Sequence, residues 1–399
     1  GYINDKIALY MGLTIVYGLL GVALAFLFFA SFTLIRNRFE LTSLNLNPQA
    51  KTRKISVCIP ARNEENVISN LLSSLQNQDW PEFEVHVMDD QSSDMTYSIA
   101  ESYQKKYPGQ FFAHRGRDKP DDWLGKPWAC HQLSKKCDGN ILLFLDADTK
   151  VKPGMLSRLA SSFDIHNIDM LTVWPEQELR TFWEKVLIPI VYHALLTLLP
   201  AIYVYRDPRW LPRPLRVRFR DTFAAACGQC LAFRKEVYDA IGGHKSVKNK
   251  IVEDVELAKQ IKQSGYRLRM FDGIGTVTCR MYENEREIFE GLRKNFLEGF
   301  NNSIPAFLAA AMLHLVVYIL PFITLIMSFF TSDAVLFILS LSCITLIFID
   351  RLILSAWYRM LPVYVLTHPL GVLWFQWLGV VKVWDYFSGR SAKWKGRDV

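Results

Sequence analysis

The feature that most constrains this chain is the absence of any charge across residues 7–35. That run exceeds the roughly 20 helical residues needed to cross about 30 Å of hydrocarbon, so it predicts a spanning helix. A secretory signal is the competing reading, but the run is too long for a signal's apolar core and no small-residue cleavage site follows it. Arg36 and Arg38 follow instead. The positive-inside bias then places the amino terminus outside and everything from about residue 36 in the cytoplasm. The chain begins at Gly1, which leaves open a native start further upstream.

A second apolar block follows Pro305 and comprises residues 306–330, 334–349 and 361–381. The first two read as spans, whereas Pro362 and the His368-Pro369 pair interrupt the third. If all three crossed, the tail with Lys382, Arg390, Lys393, Lys395 and Arg397 would lie outside, against the positive-inside bias. Residues 361–381 are therefore expected to be re-entrant or interfacial. The expected organisation is a transmembrane helix in 1–38, a soluble domain in 50–300, transmembrane or re-entrant helices in 305–382 and a basic tail in 383–399. This describes a multi-pass protein of the cytoplasmic membrane with its soluble domain on the cytoplasmic side.

The net charge of +7 raises nucleic acid as a partner. The basic residues, however, sit largely beside apolar segments, so the lipid bilayer is the expected partner and nucleic acid is not. Residues 186–205 are uncharged and long enough to span, yet Pro189, His193 and Pro200 make a poor spanning helix. Arg206, Arg209, Arg213, Arg216, Arg218 and Arg220 follow, interleaved with Trp210, Leu211, Leu215 and Phe219. Residues 186–220 are thus expected to lie at the membrane surface, against anionic headgroups or a lipid diphosphate. Seven cysteines are scattered through the chain, and a cytoplasmic domain argues against disulfides. Cys227-Gly-Gln-Cys230 lacks the second pair or neighbouring histidines of a zinc site, and these two are read as buried thiols.

Between the membrane blocks, short apolar runs alternate with helix-like stretches, the pattern of a largely parallel sheet covered on both faces. A strand over 55–59 is expected to end at Pro60, with a helix opening at Asn63 or Glu64 and continuing through Val67, Ile68, Leu71, Leu72 and Leu75. A second strand over 85–88 runs into Asp89-Asp90-Gln-Ser-Ser-Asp94, a polar turn able to cap the next helix. Residues 111–113 form a third strand, and Gly125 leads into a helix holding Trp128 and Leu133. A fourth strand, Ile141-Leu-Leu-Phe-Leu, stops at Asp146-Ala-Asp148, two carboxylates spaced to reach one cation. Taken alone, that pair could be a solvated turn. Two strands ending in Asp on the same sheet edge, however, mark where open α/β sheets place their chemistry.

The succession Pro60-Ala-Arg-Asn-Glu-Glu65, Asp89-Asp90-Gln-Ser-Ser-Asp94, Gly125-Lys126-Pro-Trp-Ala129, Asp146-Ala-Asp148 and Glu253-Asp254 resembles the family-2 glycosyltransferases of GT-A fold. Within that family it looks most like the membrane-bound diaponeurosporenoate and hopanoid-associated glycosyltransferases, which share the opening motif, the Gly242-Gly-His-Lys245 run and a Trp394-Lys-Gly-Arg397 tail. The resemblance implies an α/β GT-A domain flanked by N- and C-terminal transmembrane helices. It also implies a nucleotide-sugar donor, a UDP-hexose, and a divalent cation, Mg²⁺ or Mn²⁺, that neutralises the departing diphosphate.

By the same resemblance, Asp148 is the direct metal ligand, while Asp146 contacts the ribose or a metal-bound water. Asp89 meets the nucleoside, and Pro60, Ala61, Arg62 and Glu64 wall its pocket. Glu64 also fits an ordinary acid in a helix's first turn. Lys126 reaches the diphosphate or merely solvates its loop. Asp254 is the expected base that takes the acceptor's proton, with inversion at the sugar carbon, and Glu253 orients donor or acceptor. Both acids equally fit a favourable helix start. Gly228-Gln229 corresponds to a segment that borders sugar and acceptor, and Trp174 either stacks on a sugar or is simply buried.

Processive relatives carry Gln-X-X-Arg-Trp, whereas this chain reads Glu290-Gly-Leu-Arg293-Lys-Asn-Phe296. Only the arginine is kept. Arg293 remains a candidate diphosphate contact, but polymer synthesis is disfavoured. The expected activity is therefore transfer of one sugar to a membrane lipid or isoprenoid-type acceptor. The rivals are a processive polysaccharide synthase of the same fold and a non-catalytic scaffold or transporter.

Overall fold

The computed structural model describes residues 2–47, 53–300, 303–388, 393–394 and 397–398. Arg390 and Lys395 of the basic tail, with part of the Trp-Lys-Gly-Arg motif, lie outside the described residues. Helix α1 (Tyr2–Glu40) carries the uncharged run. At its end Asn37, fully buried, donates from Nδ2 to the carbonyls of Leu196 and Leu199 at 2.8 and 2.7 Å, and its Oδ1 accepts from Ala201 N at 2.8 Å. One amide thereby satisfies carbonyls that a helix end leaves open, and it ties the amino-terminal helix to the following domain.

The domain builds strand and helix in alternation: β1 (Ile55–Ala61), α2 (Ile68–Gln76), β2 (Phe83–Asp89), α3 (Thr96–Lys106), β3 (Phe111–Arg115), α4 (Gly125–Ser134), β4 (Ile141–Leu145), β5 (Thr149–Val151), α5 (Met155–His166), β6 (Met170–Trp174) and β7 (Glu176–Gln177). After them come α6 (Phe182–Leu198), α7 (Ile202–Tyr205), α8 (Arg213–Arg218), β8 (Cys230–Arg234), α9 (Lys235–Ala240), α10 (Glu253–Gln263), β9 (Leu268–Asp272), β10 (Val277–Cys279) and α11 (Glu285–Asn295). The main sheet runs β3-β2-β1-β4-β8-β6-β9, and only β8 opposes its neighbours, pairing antiparallel with β4 and β6. The α/β fold with apolar helices on both flanks is therefore as expected. A smaller sheet, β5-β10-β7, sits beside the carboxyl end of β4.

Two details differ from expectation. β1 continues through Pro60 to Ala61, because its ladder to β4 ends at Cys58 and the imino acid falls where one side of the strand is already unpaired. Helix α2 begins at Ile68 rather than at Asn63 or Glu64. The intervening backbone is claimed by the loop after β2: Asn63 N donates to Ser92 Oγ (3.0 Å), Glu64 N to Thr96 Oγ1 (2.7 Å) and Glu65 N to Asp94 Oδ2 (3.1 Å).

One face of the sheet is covered by α2, α3 and α5, the other by α4, α6, α9 and α10. The second core continues into the apolar helices, since Leu34 of α1 and Leu354 and Trp357 near the carboxyl end of the chain belong to it. Here α12 (Ile304–Tyr318), α13 (Leu320–Thr331), α14 (Ala334–Trp357) and α15 (His368–Ser388) are the remaining α-helices among the described residues. Helix α14 runs alongside α1 in the same direction: Asp333, just before it, accepts from the Tyr17 hydroxyl, and the Arg38 guanidinium lies 5.3 Å from the Trp357 ring. α13 packs against α14, with Thr324 and Ser340 hydroxyls 2.7 Å apart.

Among the described residues, three helices are long and apolar enough to cross a membrane, Met11–Glu40, Ala334–Trp357 and Pro362–Ser388, with α12 and α13 a pair bent by 42°. Residues 362–388 also hold to the soluble domain along their length. Tyr364 meets the Phe182 ring, Trp374 Nε1 donates to Glu285 at 2.8 Å, and Asp385 pairs with Arg293. At Gly371 a Cβ would lie 2.1 Å from Ile190 Cδ1, so a side chain there has to displace that terminal methyl where α15 packs on α6.

Candidate active site

Asp89 and Asp146 end neighbouring parts of one sheet edge. Parallel pairing sets Ala61 level with Asp89, and β4 adjoins β1 on the other side, so the two acids stand about 10 Å apart by strand spacing. Asp89 is 2 % exposed, and its Oδ1 has no hydrogen-bond partner among the described residues. A buried acceptor in that condition is costly unless a ligand supplies the donor. Beside it the Arg62 guanidinium donates to the carbonyls of Asp90 and Gln91, locking the loop that follows β2 to the end of β1. Pro60 and Ala61 form that strand end, and the Glu64 amide is engaged by Thr96.

At β4 the carboxylates are supported differently. Asp146 N donates to the Gln229 carbonyl at 3.2 Å, and its carbonyl accepts from Thr149 N and Oγ1, which fixes the turn into β5. Lys126, in the first turn of α4, places Nζ 2.8 Å from Asp146 Oδ1 and 3.2 Å from Glu253 Oε1. Burial alone would lower the lysine's pKa, but the two carboxylates hold it well above its ordinary value, so it stays charged. Asp148 lies beside the Cys279 thiol and near Tyr282, whose hydroxyl is kept protonated by burial and by the Asp148 charge.

Asp254 sits at the start of α10 and accepts from Gly228 N at 2.7 Å through Oδ2 and from Val255 N at 2.8 Å through Oδ1. A Cβ on Gly228 would lie 3.2 Å from both Asp254 Oδ2 and Lys126 Nζ. That is tighter than ordinary contact, so the close approach depends on glycine. Burial, with the adjacent Glu253 charge, pushes the Asp254 carboxyl up to about 7. A carboxyl titrating there is suited to accept a proton at neutral pH.

The fold thus brings Lys126, Asp146, Gly228, Glu253 and Asp254, four separate stretches of sequence, into one hydrogen-bonded group. Asp148 adjoins that group through Cys279, to whose sulfur Gln229 Nε2 donates at 3.0 Å. Arg293 is placed elsewhere: its guanidinium is bidentate to Asp385 of α15, at 2.6 and 2.5 Å, and no described contact joins it to this group. Trp174 is half-buried, donating from Nε1 to Met270 Sδ and packing edge-on against Tyr192. The expected surface segment divides. Helix α6 is buried on most sides, whereas α8 buries none of its residues and Trp210, Leu215, Val217 and Phe219 stand exposed among the arginines.

Sequence reading missed Gln177, whose Nε2 donates to the Tyr192 hydroxyl (3.0 Å) and to Gln229 Oε1 (3.4 Å), and it missed Cys279 and Tyr282 beside Asp148. These residues sit in or just after β7 and β10, strands of two and three residues that are too short to carry any periodicity.

Residues 56–242 match the family model described as Glycosyl transferase family 2, and residues 216–398 match that of Glycosyl transferase family 21. The chain is 28% identical over 312 residues to the 4,4'-diaponeurosporenoate glycosyltransferase of Staphylococcus haemolyticus, covering 74% of this chain and 76% of the relative. To the enzyme of that name from Staphylococcus aureus strain MRSA252 it is 29% identical over 288 residues, covering 70% and 69%. Among solved structures it is similar to the mannosyltransferase PcManGT of Pyrobaculum calidifontis in complex with GDP-Man and Mn2+, at 16% identity and a TM-score of 0.48, over 90% of this chain and 99% of that one. It is also similar to S. aureus TarS 1-349 in complex with UDP-GlcNAc, at 17% identity and a TM-score of 0.40, over 85% and 93%.

Proposed function

We propose that this chain, a glycosyltransferase carrying a family-2 domain between apolar helices, moves a single hexose from a UDP-sugar to a membrane lipid of isoprenoid type, with inversion at the sugar carbon. The observation that carries the reading is Lys126, which bridges Asp146 at the strand edge and Glu253 beside Asp254. It joins a diphosphate-binding end to a proton-accepting end within one group.

Asp89, with its unsatisfied buried oxygen, takes a donor from the nucleoside, and Pro60, Ala61, Arg62 and Glu64 line that end. Asp254 accepts the proton of the attacking acceptor hydroxyl; Gly228 N and Val255 N hold its two oxygens so that the carboxylate cannot rotate away. Burial, with the Glu253 charge, keeps the Asp254 pKa high, and Glu253 anchors Lys126, whose charge faces the departing diphosphate. The hard carboxylate oxygens of Asp146 and Asp148 fit Mg²⁺ or Mn²⁺. Asp148 is the direct ligand in this reading, because Lys126 already engages both oxygens of Asp146. The cation would supply charge neutralisation of the leaving group.

The helix directions support the membrane reading. In it, α12 and α13 lead away from the domain to the Tyr17 level of α1, α14 returns, and residues 362–388, although long and apolar enough to span, are interfacial, which their Trp374–Glu285 contact supports. Two spans and an interfacial segment then leave the tail on the domain's side, which the positive-inside bias makes cytoplasmic. Single transfer is favoured over polymer synthesis because only Arg293 of the Gln-X-X-Arg-Trp pattern is present, and it pairs with Asp385 of α15.

The test is turnover of UDP-hexoses by detergent-solubilised protein with fractionated lipid extracts, the product's length and anomeric configuration being read by mass spectrometry and NMR. A single sugar with inverted configuration supports the proposal; a polymer, a retained configuration or no turnover with any extract overturns it.

A further inference from the structure

A second group of donors, unused by the reaction above, lies toward the amino-terminal ends of β1 and β2. The parallel register sets Ser56 beside Glu84 and Cys58 beside His86, and alternate residues share a face, so Cys58, Glu84 and His86 point to the same side of the sheet. Cys137, just beyond α4, closes over them with its Sγ 3.4 Å from Cys58 Sγ. Donor atoms of Glu84, His86 and Cys137 lie within 4.8 Å of one another. The four residues are buried, at 0 % exposure for Cys58, 4 % for Cys137, 5 % for His86 and 8 % for Glu84.

The orientation of His86 is informative. Its Nδ1 shares a 2.9 Å hydrogen bond with His114 Nε2, which leaves Nε2 facing the group. That nitrogen is 3.2 Å from Glu84 Oε1, yet it makes no hydrogen bond among the described residues. An imidazole whose outer nitrogen is held by a second side chain while the inner one faces sulfur and carboxylate is arranged as metal-ligating histidines are.

We propose that Cys58, Glu84, His86 and Cys137 form a closed, structural site for a borderline-soft divalent cation of the zinc class. Two sulfurs and an imidazole select such a cation over Mg²⁺ or Mn²⁺. Zinc–sulfur bonds of about 2.3 Å at tetrahedral angles place two sulfurs about 3.8 Å apart, close to the separation here and far from a disulfide. Charge is largely compensated. Two thiolates and Glu84 carry three negative charges, the cation supplies two positive ones, and the Lys54 ammonium, 2.8 Å from Glu84 Oε2 and shared with the exposed Asp138, offsets the third in part. Because sulfur binds such a cation as thiolate, each thiol gives up its proton as its sulfur–metal bond forms, and affinity falls as pH falls. The site would pin the end of α4, whose first turn carries Lys126, to β1 and β2.

The full-length chain should be purified in detergent, with no chelator and no metal-affinity step, and its metal content measured by mass spectrometry. About one zinc per chain is expected. Exchange with Co²⁺ should give a thiolate-to-cobalt charge-transfer band in the near ultraviolet, which the oxygen donors of Asp146 and Asp148 cannot produce. Cys137→Ser and His86→Ala should each lower zinc occupancy at least tenfold, while Cys227→Ser and Asp148→Asn keep it. If the first two variants fail to fold, the cobalt spectrum of the unaltered protein decides alone. Less than a tenth of a zinc per folded chain without a charge-transfer band, or occupancy indifferent to Cys137→Ser, overturns the proposal and leaves a buried polar network.

Discussion

Replacing Asp254 by Asn separates the two readings that the sequence leaves open at the start of α10. A general base commonly contributes about 10² to 10⁴ in rate, so Asp254→Asn should lower kcat by that factor while nucleotide binding persists. Its effect on stability should have the opposite sign. The fold raises this carboxyl from its ordinary 3.8 to about 7, which at about 1.4 kcal/mol per tenfold amounts to about 4 kcal/mol. A raised carboxyl pKa means that the folded chain holds a proton the unfolded chain has lost, so this stability is full below about pH 4 and is lost as pH rises through 7. Asparagine escapes that loss but turns an amide nitrogen toward Gly228 N or Val255 N, which costs about 1–3 kcal/mol. The variant should therefore melt at or above the unaltered protein at pH 8.5 and lose that advantage at pH 5. In the unaltered enzyme kcat/KM should rise about tenfold per pH unit below 7 and level off above it. The assay is sugar transfer across pH 5.5–8.5, with thermal melts in the same detergent. If the variant keeps more than about a tenth of kcat, or if the rate of the unaltered enzyme is flat across that range, the assignment of Asp254 is refuted. If melting drops at pH 8.5 with activity intact, Asp254 is only a helix-start acid.

Gly228→Ala should lower kcat about tenfold or more with melting changed by no more than about 2 °C, because its Cβ displaces Asp254 and Lys126 rather than any core residue; steady-state kinetics with melting curves check this. Chelation of divalent cations should abolish transfer and added Mn²⁺ or Mg²⁺ restore it, with Asp148→Asn demanding a higher cation concentration for half-activity. Gly371→Val should lift α15 from α6 and destabilise the chain by about 1–3 kcal/mol, read as faster thermal inactivation in detergent. Asp385→Asn, which breaks the Arg293 pair, should likewise hasten inactivation but leave the initial kcat unchanged; a matching fall in kcat would return Arg293 to the chemistry.

Much of the fold was legible because its signals are local. The uncharged run, the alternation of strand and helix, and the acids that end β2 and β4 each occupy a few consecutive residues whose burial or turn chemistry acts over short range. The strand through Pro60 and the late start of α2 were not legible. Both depend on what a distant segment does: β4 leaves β1 at Cys58, and Ser92, Asp94 and Thr96 take the amides of residues 63–65. The site divides in the same way. Asp89, Asp146, Asp148 and Asp254 could be singled out in the chain, but neither the Cys279 and Tyr282 neighbours of Asp148 nor the Asp385 partner of Arg293 could be.

By itself, then, the sequence determined that apolar helices flank an α/β domain and which carboxylates stand at strand or helix ends, since hydrophobic periodicity and turn preferences are properties of neighbouring residues. Only the tertiary structure decided that Lys126 bridges Asp146 to Glu253, that Gly228 holds Asp254 with a carboxyl raised toward neutrality, and that Glu84, His86 and Cys137 converge, with Cys58 beside Cys137. Desolvation and charge–charge distance set those properties, and both are fixed by which remote segments pack together rather than by spacing along the chain.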